Sequence, residues 1–139
     1  MKRRLIGLLL IIGSIGAGQE TLASGQCDIS AGQKMLHKAE APWTMRIQLN
    51  PKDVPLNKPF DAVVTVCSQT GKFPSRLTID ATMPAHKHGM NYKPKTSKLD
   101  NRTFKAENLL FHMPGSWRLE VTAYTNENAY RFSQVVNLR

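Results

Sequence analysis

Hydrophobic and polar residues alternate in three segments of the chain, and this alternation predicts β-strands. The segments are residues 43–50, 76–83 and 117–123. Successive side chains of a strand point to opposite faces, so each segment is predicted to bury one face and expose the other. The predicted inward residues are Trp43, Met45, Ile47 and Leu49 in the first segment, Leu77, Ile79, Ala81 and Met83 in the second, and Trp117, Leu119, Val121 and Ala123 in the third.

Three further segments, residues 60–67, 102–111 and 130–138, complete the predicted strands. In the first of them valines fall on both faces, so the sequence leaves its inward face open. Prolines and glycines break the chain between segments at intervals of roughly 8 to 12 residues, as in sandwich folds. About six or seven short strands with such turns predict a single all-β domain over residues 43–139, an immunoglobulin-like antiparallel β-sandwich.

The first residues of the chain have the pattern of an export signal. Lysine and arginine at positions 2–4 precede an apolar run over residues 5–15, and small residues stand before Ser24. This run is about half the length that a membrane-spanning helix needs. We therefore expect residues 1–23 to be a cleaved signal peptide, and the mature chain to be periplasmic or secreted without a transmembrane anchor.

Residues 24–42 lack a clean strand pattern and are predicted to be an irregular segment. Within it Ser30 is suited to cap a short helix over residues 31–38, with Met35 on its inner face. His37 also falls here and is interpreted as a surface histidine, outside any site.

Cys27 and Cys67 are the two cysteines of the chain. An even number of cysteines in an oxidising compartment predicts a disulfide bond, which contributes roughly 4 kcal/mol in the chain-entropy model. Metal binding by either thiol is the alternative, and the lack of a C-x-x-C motif disfavours it. The net charge of +9 fits a solvated basic surface, or attraction to anionic lipid or an acidic partner. Export argues against nucleic acid as a partner.

Histidine and methionine are concentrated in two short clusters. Residues 83–90 read Met-Pro-Ala-His-Lys-His-Gly-Met, and residues 111–115 read Phe-His-Met-Pro-Gly. Thioether sulfur is a soft ligand that suits Cu(I), and imidazole binds copper or zinc. The sequence therefore predicts a metal site, whose candidate ligands are Met83, His86, His88, Met90, His112 and Met113.

The spacing of His86, His88 and Met90 supports this prediction, because residues i, i+2 and i+4 of an extended loop point to the same side. The polar loop around these three residues gives them no packing role. The alternatives for the other candidates are a core position for Met83, packing under Trp117 for Met113, and a rim histidine for His112.

The surroundings of the first cluster favour a monovalent ion. Lys87, Lys93, Lys95 and Lys98 surround it, and neither cluster contains a carboxylate. Neutral ligands in positive surroundings favour Cu(I) over Cu(II) or Zn(II). The leading prediction is a Cu(I) chaperone or scavenger, which implies a copper-accepting protein as partner.

Residues 85–101 are predicted to form one long, lysine-rich loop, which suggests a different function. In that alternative the stretch 87–98 docks an acidic protein partner, and the histidines and methionines are structural. Small-ligand binding at the same rim is a third interpretation. The sequence contains no evident nucleophile with a partner base and no paired acidic residues, so we do not expect an enzyme.

The two clusters resemble motifs of the FixH/YtkA-like family of small exported or membrane-anchored bacterial proteins. That group has a Met-Pro-x-His-x-His-Gly-Met segment, then an apolar-x-Met-Pro-Gly-x-Trp segment that enters a strand, and residues 83–90 and 111–117 match both. The resemblance implies an immunoglobulin-like sandwich and a link to copper handling or oxidase assembly. It also implies His86, His88 and Met90 as ligands, with Met83 and Met113 as further candidates. The chain departs from FixH in its short N-terminus and its cysteine pair.

Overall fold

Ten β-strands make up the part of the chain that the computed structural model describes, residues 32–37 and 41–139. In chain order they are β1 Gln33–Lys34, β2 Leu36–His37, β3 Trp43–Asn50, β4 Phe60–Ser68, β5 Arg76–Met83, β6 His88–Gly89, β7 Lys95–Lys98, β8 Thr103–Leu109, β9 Gly115–Tyr124 and β10 Ala129–Leu138. Within these ranges no helix is long and apolar enough to cross a membrane.

The strands form two antiparallel sheets. The first sheet has the order β1-β3-β4-β8-β7, and the second has the order β2-β10-β9-β5-β6. Without the two-residue strands, β3-β4-β8-β7 and β5-β9-β10 reproduce the A-B-E-D and C-F-G sheets of the immunoglobulin fold. The inward side chains of both sheets belong to one buried cluster. The predicted fold class, an immunoglobulin-like antiparallel β-sandwich, is therefore confirmed.

The alternation of apolar residues decides which faces of the sheets are buried. All the inward residues predicted for β5 and β9 are buried, and in β3 only Leu49 is half-exposed. Burying one large apolar side chain stabilises the fold by about 1.5–3 kcal/mol. The largest fully buried side chains are Trp117, Phe104, Phe111 and Phe132.

The inward face of β4, which the sequence left open, is set by its neighbour. The register pairs Ile47 of β3 with Val64 of β4, and directly paired residues point to the same face. Val64 and Val66 are therefore buried, whereas Val63 is half-exposed on the outer face.

The helix predicted over residues 31–38 is wrong for the described part, because residues 33–34 form β1 and residues 36–37 form β2. β1 pairs with β3, and β2 pairs with β10 in the other sheet. Met35 lies at the crossing between the sheets, is 3% exposed, and donates its N–H to the Met45 carbonyl oxygen at 3.0 Å. Pairing with sheet edges satisfies backbone groups that a short helix leaves unpaired at its ends. The inward position of Met35 is confirmed, and the segment 24–42 is not wholly irregular.

The single long loop predicted over residues 85–101 is also wrong. β6 pairs with β5 and β7 pairs with β8, so the connection crosses from the second sheet to the first. β6 has only two residues, and β7 reads Lys-Thr-Ser-Lys. Neither has the alternation that marks a half-buried strand, which is why the pattern did not predict them.

The predicted signal peptide, residues 1–23, lies outside the described residues, and so does Cys27. Cys67 lies on β4, where it pairs with Thr44 of β3. The disulfide between the two cysteines stays a prediction.

Candidate metal centre

A tight hairpin between β5 and β6 places the first His/Met cluster. β5 ends at Met83, β6 begins at His88, and residues 84–87 turn the chain. The His86 N–H donates to the Met83 carbonyl oxygen at 3.1 Å. Lys87 has a φ of 55°, a left-handed conformation that commonly closes short hairpin loops. The hairpin therefore returns His88 to a position beside Met83.

The hairpin register directs the His88 ring toward the inside of the sandwich. Met83 and His88 are directly paired, so their side chains lie on the same face, and Met83 is 1% exposed. His88 as a whole is half-buried, because β6 is an edge strand.

The two ring nitrogens of His88 have different surroundings. Nδ1 lies 3.4 Å from the Gly89 carbonyl oxygen, a contact that suits the tautomer with its proton on Nδ1. Nε2 is buried and has no hydrogen-bond partner within the described part of the chain. In that tautomer Nε2 carries a free lone pair beneath the protein surface.

Trp117 positions the second cluster. Its indole N–H donates to the Met113 carbonyl oxygen at 2.9 Å, and Phe111 stacks on the indole with 4.6 Å between ring centroids. The Asn57 N–H donates to the Phe111 carbonyl oxygen at 2.9 Å, which ties the β3–β4 loop to the same segment. The segment is thereby held over the indole, and the His112 ring lies edge-on to it at 5.4 Å.

The two clusters meet at His88 and His112. Their ring centroids are 5.2 Å apart, and His88, like His112, lies edge-on to Trp117, at 5.8 Å. Two imidazoles that bind one ion with metal–nitrogen distances of ~2.0–2.1 Å have ring centres about 5–6 Å apart. The separation of His88 and His112 therefore fits a shared ion.

His86 is the third histidine near this pair. It is exposed on the turn, and its ring centroid is 5.9 Å from that of His88. Among the described residues, no three His, Cys, Asp or Glu side chains are arranged to hold a metal ion. The closer histidine pair is thus His88 with His112, from different clusters, and the neighbouring methionine thioethers are candidates for further ligands of an ion there.

The three candidate methionines lie at the same end of the sandwich. Met90 and Met113 are half-exposed and pack against the core. Met83 is a core residue, as its parity in β5 predicted, and its terminal methyl group would lie 2.9 Å from a Cβ atom added to Gly115. Gly115, at a φ of 121°, therefore leaves room for the Met83 side chain at the start of β9.

The charge around the site is less positive than the sequence predicted. Lys93 forms an ion pair with Asp80. Lys98 lies 3.5 Å from the Pro74 carbonyl oxygen, and Pro74 precedes the first residue of β5, whereas the site follows the last. Lys98 is therefore at the opposite end of the sandwich. Lys87 is exposed on the turn, between His86 and His88 in the chain.

His37 is packed rather than exposed, which corrects its interpretation as a surface histidine. Its ring lies 4.6 Å from the ring of Phe132, and its Nε2 atom is buried without a partner in the described part of the chain. It belongs to β2, at the edge of the second sheet opposite to β6. His37 is therefore not part of the candidate centre.

Comparison of the chain with models of known protein families, with curated proteins and with solved structures gives no match. The resemblance of residues 83–90 and 111–117 to the FixH/YtkA-like family stays a prediction. The interpretation of the centre depends on its own geometry.

Proposed function

We propose that this protein is a periplasmic copper-binding protein, a chaperone or scavenger that holds Cu(I) between His88 and His112. The observation that carries the proposal is the buried Nε2 atom of His88, which has no hydrogen-bond partner among the described residues and belongs to a ring 5.2 Å from that of His112. An unsatisfied buried polar atom costs about 1–3 kcal/mol. A bound metal ion removes that cost by accepting the lone pair.

The donor set favours Cu(I) over harder ions. Beside the two imidazoles, the thioethers of Met83, Met90 and Met113 are the candidate ligands, and all of these ligands are neutral. Soft sulfur ligands select Cu(I), whereas Ca²⁺ and Mg²⁺ prefer carboxylate, carbonyl and water oxygens. The fully buried Trp117 ring lies against both imidazoles, and Phe111 stacks on that ring. This apolar surface limits access of water to the ion from that side.

A competition titration tests the proposal. Mature protein is titrated without oxygen with Cu(I) held by a bicinchoninate chelator, and an equimolar amount of Cu(I) should move to the protein. His88→Ala combined with His112→Ala should abolish this transfer. His37→Ala is the matched control, because it removes a half-buried histidine at the other edge of the same sheet, and it should leave transfer unchanged. Affinity no tighter than micromolar would contradict the proposal.

Tryptophan fluorescence gives a second readout of the same site. The chain has two tryptophans, and Trp117 contacts both imidazoles, so Trp43→Phe leaves the indole beside the site as the fluorophore. Copper bound between His88 and His112 should quench this emission in proportion to loading. Quenching that persists in the His88→Ala, His112→Ala variant would place the ion elsewhere.

The alternative, an assembly module that docks an acidic partner through residues 87–98, makes different predictions. Capture of such a partner should weaken steeply with salt. Charge reversal at Lys93 and Lys95 should have the same effect, and the histidine variants should not.

A further inference from the structure

The three clustered histidines differ in how firmly their rings are held. His88 is set by strand pairing with Met83, and its ring and that of His112 both lie against Trp117. The His86 side chain is exposed, and its one aromatic ring contact within the described part of the chain is with His88. One imidazole is thus free to change rotamer, while the other two are held.

The same three rings form a series that begins at the solvent-exposed His86. His86 is exposed, and its ring is 5.9 Å from the half-buried His88 ring. The next step, from His88 to His112, is 5.2 Å. An exposed side chain changes rotamer in picoseconds to nanoseconds, so the His86 ring can approach an ion beside His88 without disturbing the inner pair.

The backbone beneath His86 does not take part in this motion. The His86 N–H is bonded to the Met83 carbonyl oxygen at 3.1 Å, and Lys87 closes the turn in the left-handed conformation. The turn keeps the Cα atom of His86 in place, so movement is confined to the side chain.

We propose that His86 is the exchange ligand of the centre, through which Cu(I) is taken up and released. This inference rests on the copper function proposed above and adds a separate role for one residue. In uptake, a bond from Cu(I) to His86 forms as a bond to the donor chelator breaks, and a bond to His112 then replaces the bond to His86. The ion stays Cu(I) throughout, and release is the reverse sequence.

Stopped-flow measurement of Cu(I) transfer from the bicinchoninate complex tests this role. His86→Ala should slow transfer by about tenfold or more, yet change the equilibrium affinity much less than the ~10–100-fold typical of losing a group that supports a metal site. His88→Ala should lower the affinity itself. Lys87→Ala is the matched control, since it is exposed on the same turn, and it should transfer copper at the wild-type rate. His86→Met, which restores a soft ligand, should recover much of the lost rate.

Two results would overturn the inference while leaving the copper function intact. An unchanged transfer rate in His86→Ala would show that the ion bypasses this side chain. A loss of affinity equal to that of His88→Ala would make His86 a resident ligand rather than an exchange ligand. If the wild-type protein takes up no Cu(I), the proposed function itself fails, and the inference fails with it.

Discussion

Replacing Gly115 by alanine should destabilise the fold through two effects that the structure separates. Gly115 has a φ of 121°, where L-residues are strained, and such strain costs of order 1–3 kcal/mol. The new Cβ atom would also lie 2.9 Å from the terminal methyl group of Met83. Extra volume in a packed core typically costs about 1–3 kcal/mol, and the flexibility of methionine puts this case at the lower end.

The sum of these effects is a loss of about 2–4 kcal/mol for Gly115→Ala. In a domain of this size each kcal/mol lowers the Tm by roughly 4–8 °C. The assay is thermal or denaturant unfolding followed by circular dichroism. Gly71→Ala is the matched control, because Gly71 also has a positive φ, of 72°, and an added Cβ there meets nothing within 4 Å. It should lose about 1–2 kcal/mol, the cost of a left-handed L-residue alone.

A double-mutant cycle isolates the contact with Met83. Leucine at position 83 lacks the terminal methyl group, so Gly115→Ala should destabilise the Met83→Leu protein by about 1 kcal/mol less than it destabilises the wild type. Zero coupling between the two positions would refute the crowding argument. Cu(I) affinity of the same variants decides whether the Met83 sulfur is a ligand, because Met83→Leu keeps the packing volume and removes the sulfur.

Two further predictions concern the pH dependence of stability and the turn. The hydrogen bond from Lys105, followed by that from the Asn108 N–H, lowers the pKa of Asp61. A carboxyl group with a lowered folded-state pKa stabilises the fold above its unfolded pKa. The free energy of unfolding should therefore fall as the pH drops below about 4. Asp61→Asn should flatten this acid slope in urea titrations at several pH values, and an unchanged slope would contradict the assignment. Lys87→Gly should raise the free energy of unfolding by about 0.5–1 kcal/mol, because glycine adopts the left-handed conformation without strain. Lys87→Ala should stay within about 0.5 kcal/mol of wild type, and equal stability of the two variants would refute the role assigned to the φ of residue 87.

The sequence predicts a strand and its inward face correctly where apolar and polar residues alternate strictly. β3, β5 and β9 were predicted with their inward residues because each reads apolar and polar in turn. The strands that escaped prediction are short or polar, and they form through pairing with an edge. Met35 is an example. Its inward position was predicted correctly, but from an incorrect helix. The chain around it is extended because β1 pairs with β3 and β2 pairs with β10.

The sequence predicted which residues form the candidate site, but it did not predict which of them lie together. The spacing of His86, His88 and Met90 describes one local stretch of chain, whereas the closest histidine pair joins residues 88 and 112 from different clusters. Their meeting depends on the pairing of β5 with β9, which local patterns do not encode. The charges show the same limit, because the lysines near residue 90 in sequence are distributed by β6 and β7 over different parts of the molecule.

One row of neighbouring inward-facing side chains across the second sheet explains why the two clusters meet. The register of β5 with β9 pairs Thr82 with Arg118, and one residue further along it sets Met83 beside Trp117. The hairpin pairs Met83 with His88 on the other side.

His88, Met83 and Trp117 therefore form one inward row over three strands. The Trp117 indole N–H donates to the Met113 carbonyl oxygen, next to His112. Because the row fixes the site through the sheet, a slip of the β5–β6 hairpin by one residue would turn His88 to the outer face and separate it from His112.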